Sequence, residues 1–116
     1  MKEYIRITTF SKDKKTVARI STEVIKEKYA ASTHIDKVLS SYWWDGKVED
    51  TEEYRLEIIT RIDKKDIIVQ TIKLIHDYDV PEIQLDIHET QNEDIKKWID
   101  DIVNESNDIT DKSNEL

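Results

Sequence analysis

A single glycine in 116 residues, Gly46, follows Asp45 between two β-rich runs. Glycine reaches positive φ without a steric cost, so a chain with one of them has few places to turn sharply. Asp-Gly flanked by β-branched and aromatic residues is the strongest short-range hairpin signal. Here Val38, Tyr42, Trp43 and Trp44 precede the turn and Lys47-Val48 follow it. The chain is therefore organised around one central ribbon. The same scarcity excludes a glycine-rich phosphate loop, because Gly46 is already used by the turn.

Periodicity supplies the other elements. Residues 4–9 alternate, with Ile5 and Ile7 on one face, and predict a strand. Over residues 13–28, Val17, Ile20, Val24 and Ile25 fall at helical spacing, with Ala18 and Ser21 beside them. Residues 53–61 alternate Leu56, Ile58 and Thr60 against Arg55, Glu57 and Ile59. A second helix fits residues 63–76, with Asp63 as N-cap and Ile67, Ile68, Thr71, Ile72 and Ile75 on one face. Pro81 ends that region, and Ile83, Leu85 and Ile87 alternate as a strand. A third helix begins near Asn92 and is expected to bury Ile95, Trp98, Ile99, Ile102 and Val103. The order predicts an α+β fold, a ferredoxin-like βαββαβ antiparallel sheet with an extra C-terminal helix. Residues 1–106 are expected to form one domain, and the polar residues 107–116 a frayed tail.

Charge and composition narrow the function. The net charge of −8 has the wrong sign for nucleic acid. The lysines at 12, 14 and 15 and at 64 and 65 stand beside Asp13, Asp63 and Asp66, and are expected to be solvated helix starts. No apolar run has the roughly 18 residues of a membrane span, and no signal-like stretch opens the chain. Cysteine is absent, which removes disulfides and thiolate chemistry and suits a cytoplasmic setting. The Asn104-Glu105-Ser106 acceptor pattern is then coincidental. Ser40 and Ser41 lack a nucleophile-elbow context. The acidic pairs Asp45/Glu49 and Glu52/Glu53 are expected to be solvated edges. The chain is expected not to be an enzyme and to need no organic cofactor.

Self-association follows from the ribbon. Strand side chains alternate, so Tyr42 and Trp44 point one way and Trp43 the other. Helices on one side cannot cover both. As one strand, residues 47–61 span roughly 50 Å, against about 35 Å for a compact domain of this size. An overhanging aromatic hairpin is an unsafe edge unless another subunit pairs with it. Tyr42, Trp43 and Trp44 are therefore expected interface residues, and Tyr78 is expected to join them.

At this hairpin the sequence resembles the CutA family of divalent-cation tolerance proteins. Ser40-Ser41-Tyr42-Trp43-Trp44-Asp45-Gly46-Lys47 is similar to the family's Ser-x-Tyr-x-Trp-x-Gly-Lys hairpin. Ala30-Ala31 is similar to its Ala-Ala-Cys segment, and Glu53 and Thr60 fall where its next strand has Glu and Lys-Thr. His76-Asp77-Tyr78-Asp79-Val80-Pro81-Glu82 resembles its His-Pro-Tyr-x-x-Pro-Glu signature, and Trp98-Ile99 matches its last helix. The resemblance implies a homotrimer of ferredoxin-like subunits with sheet edges joined, and a role in copper and other divalent-metal tolerance. Three positions depart from the pattern. Ser32 stands where the family has a metal-binding cysteine, Asp77 replaces a proline, and Ile59 replaces a lysine. A hydroxyl is a poor Cu(I) ligand beside a thiolate.

His76 and Glu82, with Asp79 as a third donor, are the best candidates for a Cu(II) or Zn(II) site. The structural alternative has His76 capping its helix and Glu82 bonding backbone. His34 and His88 have no second ligand at metal spacing and are read as surface or interface residues. Three functions compete. The first is a metal-tolerance trimer. The second is a scaffold whose value is the oligomer itself. The third is a small-molecule sensor resembling the PII proteins, which would need a phosphate loop this chain cannot build.

Overall fold

The computed structural model describes residues 3–107. Its elements run β1 (Tyr4–Ser11), α1 (Lys14–Lys26), β2 (Ser32–Trp44), β3 (Lys47–Arg61), α2 (Lys65–Ile75), β4 (Ile83–Ile87) and α3 (Glu93–Val103). The four strands form one sheet in the order β2-β3-β1-β4, antiparallel throughout. The class is α+β, and the element order is the one the periodicity predicts. The expected tail lies outside the described residues apart from Asn107, whose N–H donates to the Glu27 carbonyl.

Alternation divides the sheet into two unlike faces. Ile5, Ile7, Leu56 and Ile58 point to one side and meet Val17, Ile20 and Val24 of α1 and Ile68 and Ile72 of α2. All are fully buried, and each stabilises the fold by about 1.5–3 kcal/mol. Tyr4 and Ile59 point to the other side, where α3 covers them with Ile99 and Val103. The helices thus lie on both faces, α3 at one end only. Beyond α3, the second face carries ion pairs: Arg6 with Glu57 and Asp86, and Arg55 with Asp36.

Several local expectations change. Asp13 caps α1 as its side chain accepts from the Lys15 N–H, but Asp63 does not cap α2. A short 3-10 turn, Ile62–Lys64, intervenes, and Asp63 turns back to pair with Arg61. Lys64 is not solvated: its whole side chain is buried, and its ammonium lies 3.8 Å from Asp63. Helix α3 buries only Ile99 and Val103, which pack on Tyr4 and Ile59, and leaves Ile95 and Trp98 partly exposed.

The ribbon forms as one long element. Asp45 and Gly46 have φ of 55° and 74°, both positive as a type I′ turn requires. Strand β1 stops pairing at Tyr54, whereas β2 follows β3 to Lys47. Residues 47–53 and their β2 partners therefore project as a two-stranded arm, and the molecule measures 49 × 33 × 22 Å. Trp43 is 75% exposed and Trp44 60%. Leu39 and Val48 are also exposed, on the same face as Trp43.

Candidate functional site

The His76–Glu82 segment leaves α2 and returns to the sheet at β4, beside the start of α1. His76 ends α2 with its side chain fully enclosed. Its Nε2 lies 2.7 Å from the Phe10 carbonyl, which can only accept, so Nε2 carries a proton. Nδ1 faces the Tyr78 N–H at 3.0 Å and the Asp77 carboxylate at 3.2 Å. In either protonation state both ring nitrogens are engaged. The ring also packs on Tyr78, with centroids 4.8 Å apart.

Tyr78 continues the network. Its hydroxyl donates to Glu53 Oε2 at 2.7 Å and accepts from the Lys12 N–H at 2.8 Å. Burial, then the bond to Glu53, pushes the phenol well above its ordinary value of 10.0. Ser11 Oγ donates to Asp77 at 2.7 Å and accepts from the Asp13 N–H. Thr9 Oγ1 donates to the Glu82 carbonyl at 2.7 Å. Loop, strand β1, the cap of α1 and the root of the arm are thereby tied together by side-chain hydrogen bonds.

Glu53 corrects the sequence reading. It is 6% exposed, not a solvated edge. It points to the face opposite α1 and α2, at the point where the arm leaves the sheet, and Tyr78 closes over it. The correspondence of Glu53 with a glutamate of the CutA pattern was the one sequence signal for it.

The metal expectation meets a different arrangement. The His76 imidazole is spent on backbone partners, and the side chains of Asp79 and Glu82 are exposed. Among the described residues no group of three or more His, Cys, Asp or Glu side chains is placed to hold a metal ion. The described residues of a single chain therefore bring no three such donors together. His34 is exposed on β2, opposite Glu57, and His88 donates its backbone N–H to the Tyr4 carbonyl. Of the interface candidates, Trp43 and Trp44 stand open, while Tyr42 is half-buried with its hydroxyl 3.5 Å from Thr51 Oγ1. Tyr78 is committed to Glu53 within the chain.

A second network anchors α3. Arg61, nearly enclosed, bonds Asp63 through Nε and Nη2 and Asp100 through Nη1 at 3.1 Å. Tyr4 donates to Asp100 at 3.0 Å. Burial raises Asp63, but the bonds and charge of Arg61 prevail and hold its carboxyl below its usual 3.8.

Comparison with known proteins agrees with this architecture. Residues 5–102 match the family model described as "CutA1 divalent ion tolerance protein". The divalent-cation tolerance protein CutA of Pyrococcus horikoshii is 33% identical over 93 residues, covering 79% of this chain and 89% of that protein. That of Archaeoglobus fulgidus is 30% identical, covering 89% and 99%. The crystal structure of CutA1 from Oryza sativa superposes with a TM-score of 0.83 at 31% identity, over 90% of this chain and 96% of that one. The Archaeoglobus structure, described as a periplasmic divalent cation tolerance protein, gives 0.82 at 27% identity, over 86% and 98%. No helix among the described residues is long and apolar enough to cross a membrane. The chain belongs to the CutA1 divalent ion tolerance family.

Proposed function

We propose that the chain works as a non-catalytic homotrimer of ferredoxin-like subunits in divalent-cation tolerance, and that the assembly, not a site inside one chain, is the unit that meets the metal. The observation that carries this reading is the arm. Trp43, Trp44, Leu39 and Val48 stand exposed on both faces of a ribbon that its own domain cannot cover. Apolar area left in water forfeits about 25 cal/mol per Å², which a neighbouring copy recovers. Unpaired outer edges of β2 and β4 are available for the same contact.

The engaged imidazole of His76 makes it a structural residue in this reading. Asp79 and Glu82, exposed on the loop, are the donors left for Cu(II) or Zn(II), to be completed by groups of another copy. Titration calorimetry tests this. The wild type is expected to bind Cu(II) with a stoichiometry set by the trimer, and Trp43→Asp/Trp44→Asp to abolish both assembly and saturable binding. Unchanged binding by a dispersed variant would refute the shared site. The scaffold reading draws support from Ser32, which stands where the resembled family has a cysteine. It predicts full assembly with no saturable binding in the wild type. Cytoplasmic placement remains part of the proposal and is read by cell fractionation.

A further inference from the structure

The helical layer differs in charge from the rest of the molecule. The chain carries −8 overall. Yet α1 holds four cations against one carboxylate, and α2 two against one. Positions 15, 19, 23 and 26 recur at helical spacing, so Lys15, Arg19, Glu23 and Lys26 line one ridge of α1. Glu23 is paired with Lys26 at 3.4 Å. The side chains of Lys15 and Arg19 have no carboxylate partner among the described residues.

Between this ridge and α2 lies a groove of about 410 Å³ lined by Arg19, Glu23, Tyr29, Ile67, Leu74 and Ile75. Leu74, at 82% exposure, is the most open large apolar side chain among the described residues. Leu74 stands on α2 beside the half-buried Ile75 and two helical turns from the half-buried Ile67, so the apolar strip continues along the groove wall. None of these residues belongs to the arm or to the His76 loop network.

We propose that the α1/α2 groove is a docking site for an acidic amphipathic segment of a partner protein, its apolar side chains seated against Leu74, Ile67 and Ile75 and its carboxylates on Arg19 and Lys15. Charge complementarity selects this occupant. A basic ridge beside an apolar floor, on a protein otherwise acidic, attracts acidic helices and repels basic ones, and the surrounding negative field confines the attraction to this face. The concave shape favours a peptide over a membrane. A groove receives side-chain knobs, whereas a lipid surface is entered by a protruding apolar face.

The test uses the full chain and a fluorescein-labelled 16-residue peptide of Glu and Leu at i, i+3, i+4, i+7 spacing, read by anisotropy. Three companions are run: the same pattern with Lys for Glu, poly-glutamate of equal length, and vesicles with about 30% anionic lipid, chosen to resemble an acidic leaflet. Saturable binding of the acidic peptide is expected. It should weaken about tenfold with Arg19→Glu and with Leu74→Glu, and stay unchanged with Lys97→Glu on α3. Both substituted groove positions are exposed, and circular dichroism melts check that the variants remain folded. Three results overturn the proposal: no saturable binding, equal binding of poly-glutamate, or binding that neither groove variant weakens. Binding only to vesicles would also overturn it and assign the ridge to a lipid surface.

Discussion

Replacing Tyr78 by phenylalanine removes one oxygen and leaves the ring in place. That oxygen donates to Glu53 at 2.7 Å and accepts from the Lys12 N–H at 2.8 Å. Glu53 is buried, so its carboxylate would lose a donor that water cannot freely replace. A hydrogen bond to a charged group is worth about 1.5–3 kcal/mol, and an orphaned partner adds to the loss. Tyr78→Phe should therefore cost about 2 kcal/mol, or roughly 8 °C in Tm for a domain of this size. Calorimetry at fixed protein concentration measures it, since an oligomer's Tm depends on concentration. The double variant with Glu53→Gln should lose less than the two single changes together, by about 1 kcal/mol. The phenol's raised pKa adds a pH signature. The folded state favours the protonated form, so this stability is fully present below the ordinary value of 10.0 and declines as pH rises above it. Tyr78→Phe should flatten that alkaline decline. A Tm within 2 °C of wild type (about a quarter of the expected shift), with the alkaline decline intact, would show that the Tyr78–Glu53 contact does not hold the loop.

Three further substitutions probe other parts of the account. His76→Ala removes the anchors to Phe10 and Tyr78 and should lower stability by about 2 kcal/mol, while Cu(II) affinity by calorimetry stays within about twofold; a tenfold loss of affinity would restore His76 as a ligand. Arg61→Met strands Asp63 and Asp100 and should cost about 2–3 kcal/mol by urea unfolding, with amide exchange fastest in α3. Because Asp63 titrates lower in the folded state, its contribution is present above pH 3.8 and is lost as pH falls below it, a dependence the Arg61 variant should lack. Gly46→Ala meets no atom within 4 Å, so only the positive φ opposes it; chemical denaturation should report a loss of about 1 kcal/mol, and Gly46→Asn much less.

The frame of this fold was legible because it is written in local patterns. Alternation at Ile5, Ile7, Leu56 and Ile58 and helical spacing at Val17, Ile20 and Val24 each name one face, and Asp45-Gly46 names the turn. What periodicity does not carry is whether a named face has cover. Ile95 and Trp98 share the apolar stripe of α3 with Ile99, but the cluster with Tyr4 and Ile59 does not include them. Glu53 and Lys64 are charged residues whose burial depends on Tyr78, 25 positions away, and on a tight turn beside Asp63. The His76 ring looked available as a ligand because its partners, Phe10 and the backbone of Tyr78, meet it only in the folded chain.

Light scattering on the purified chain, coupled to size exclusion, tests the central claim most directly. The exposed arm predicts a particle of three times the 13.8 kDa chain mass at micromolar concentration, with Trp43 and Trp44 emission shifted to the blue relative to a dispersed variant. A single species of 13.8 kDa with fully hydrated tryptophan emission would contradict it.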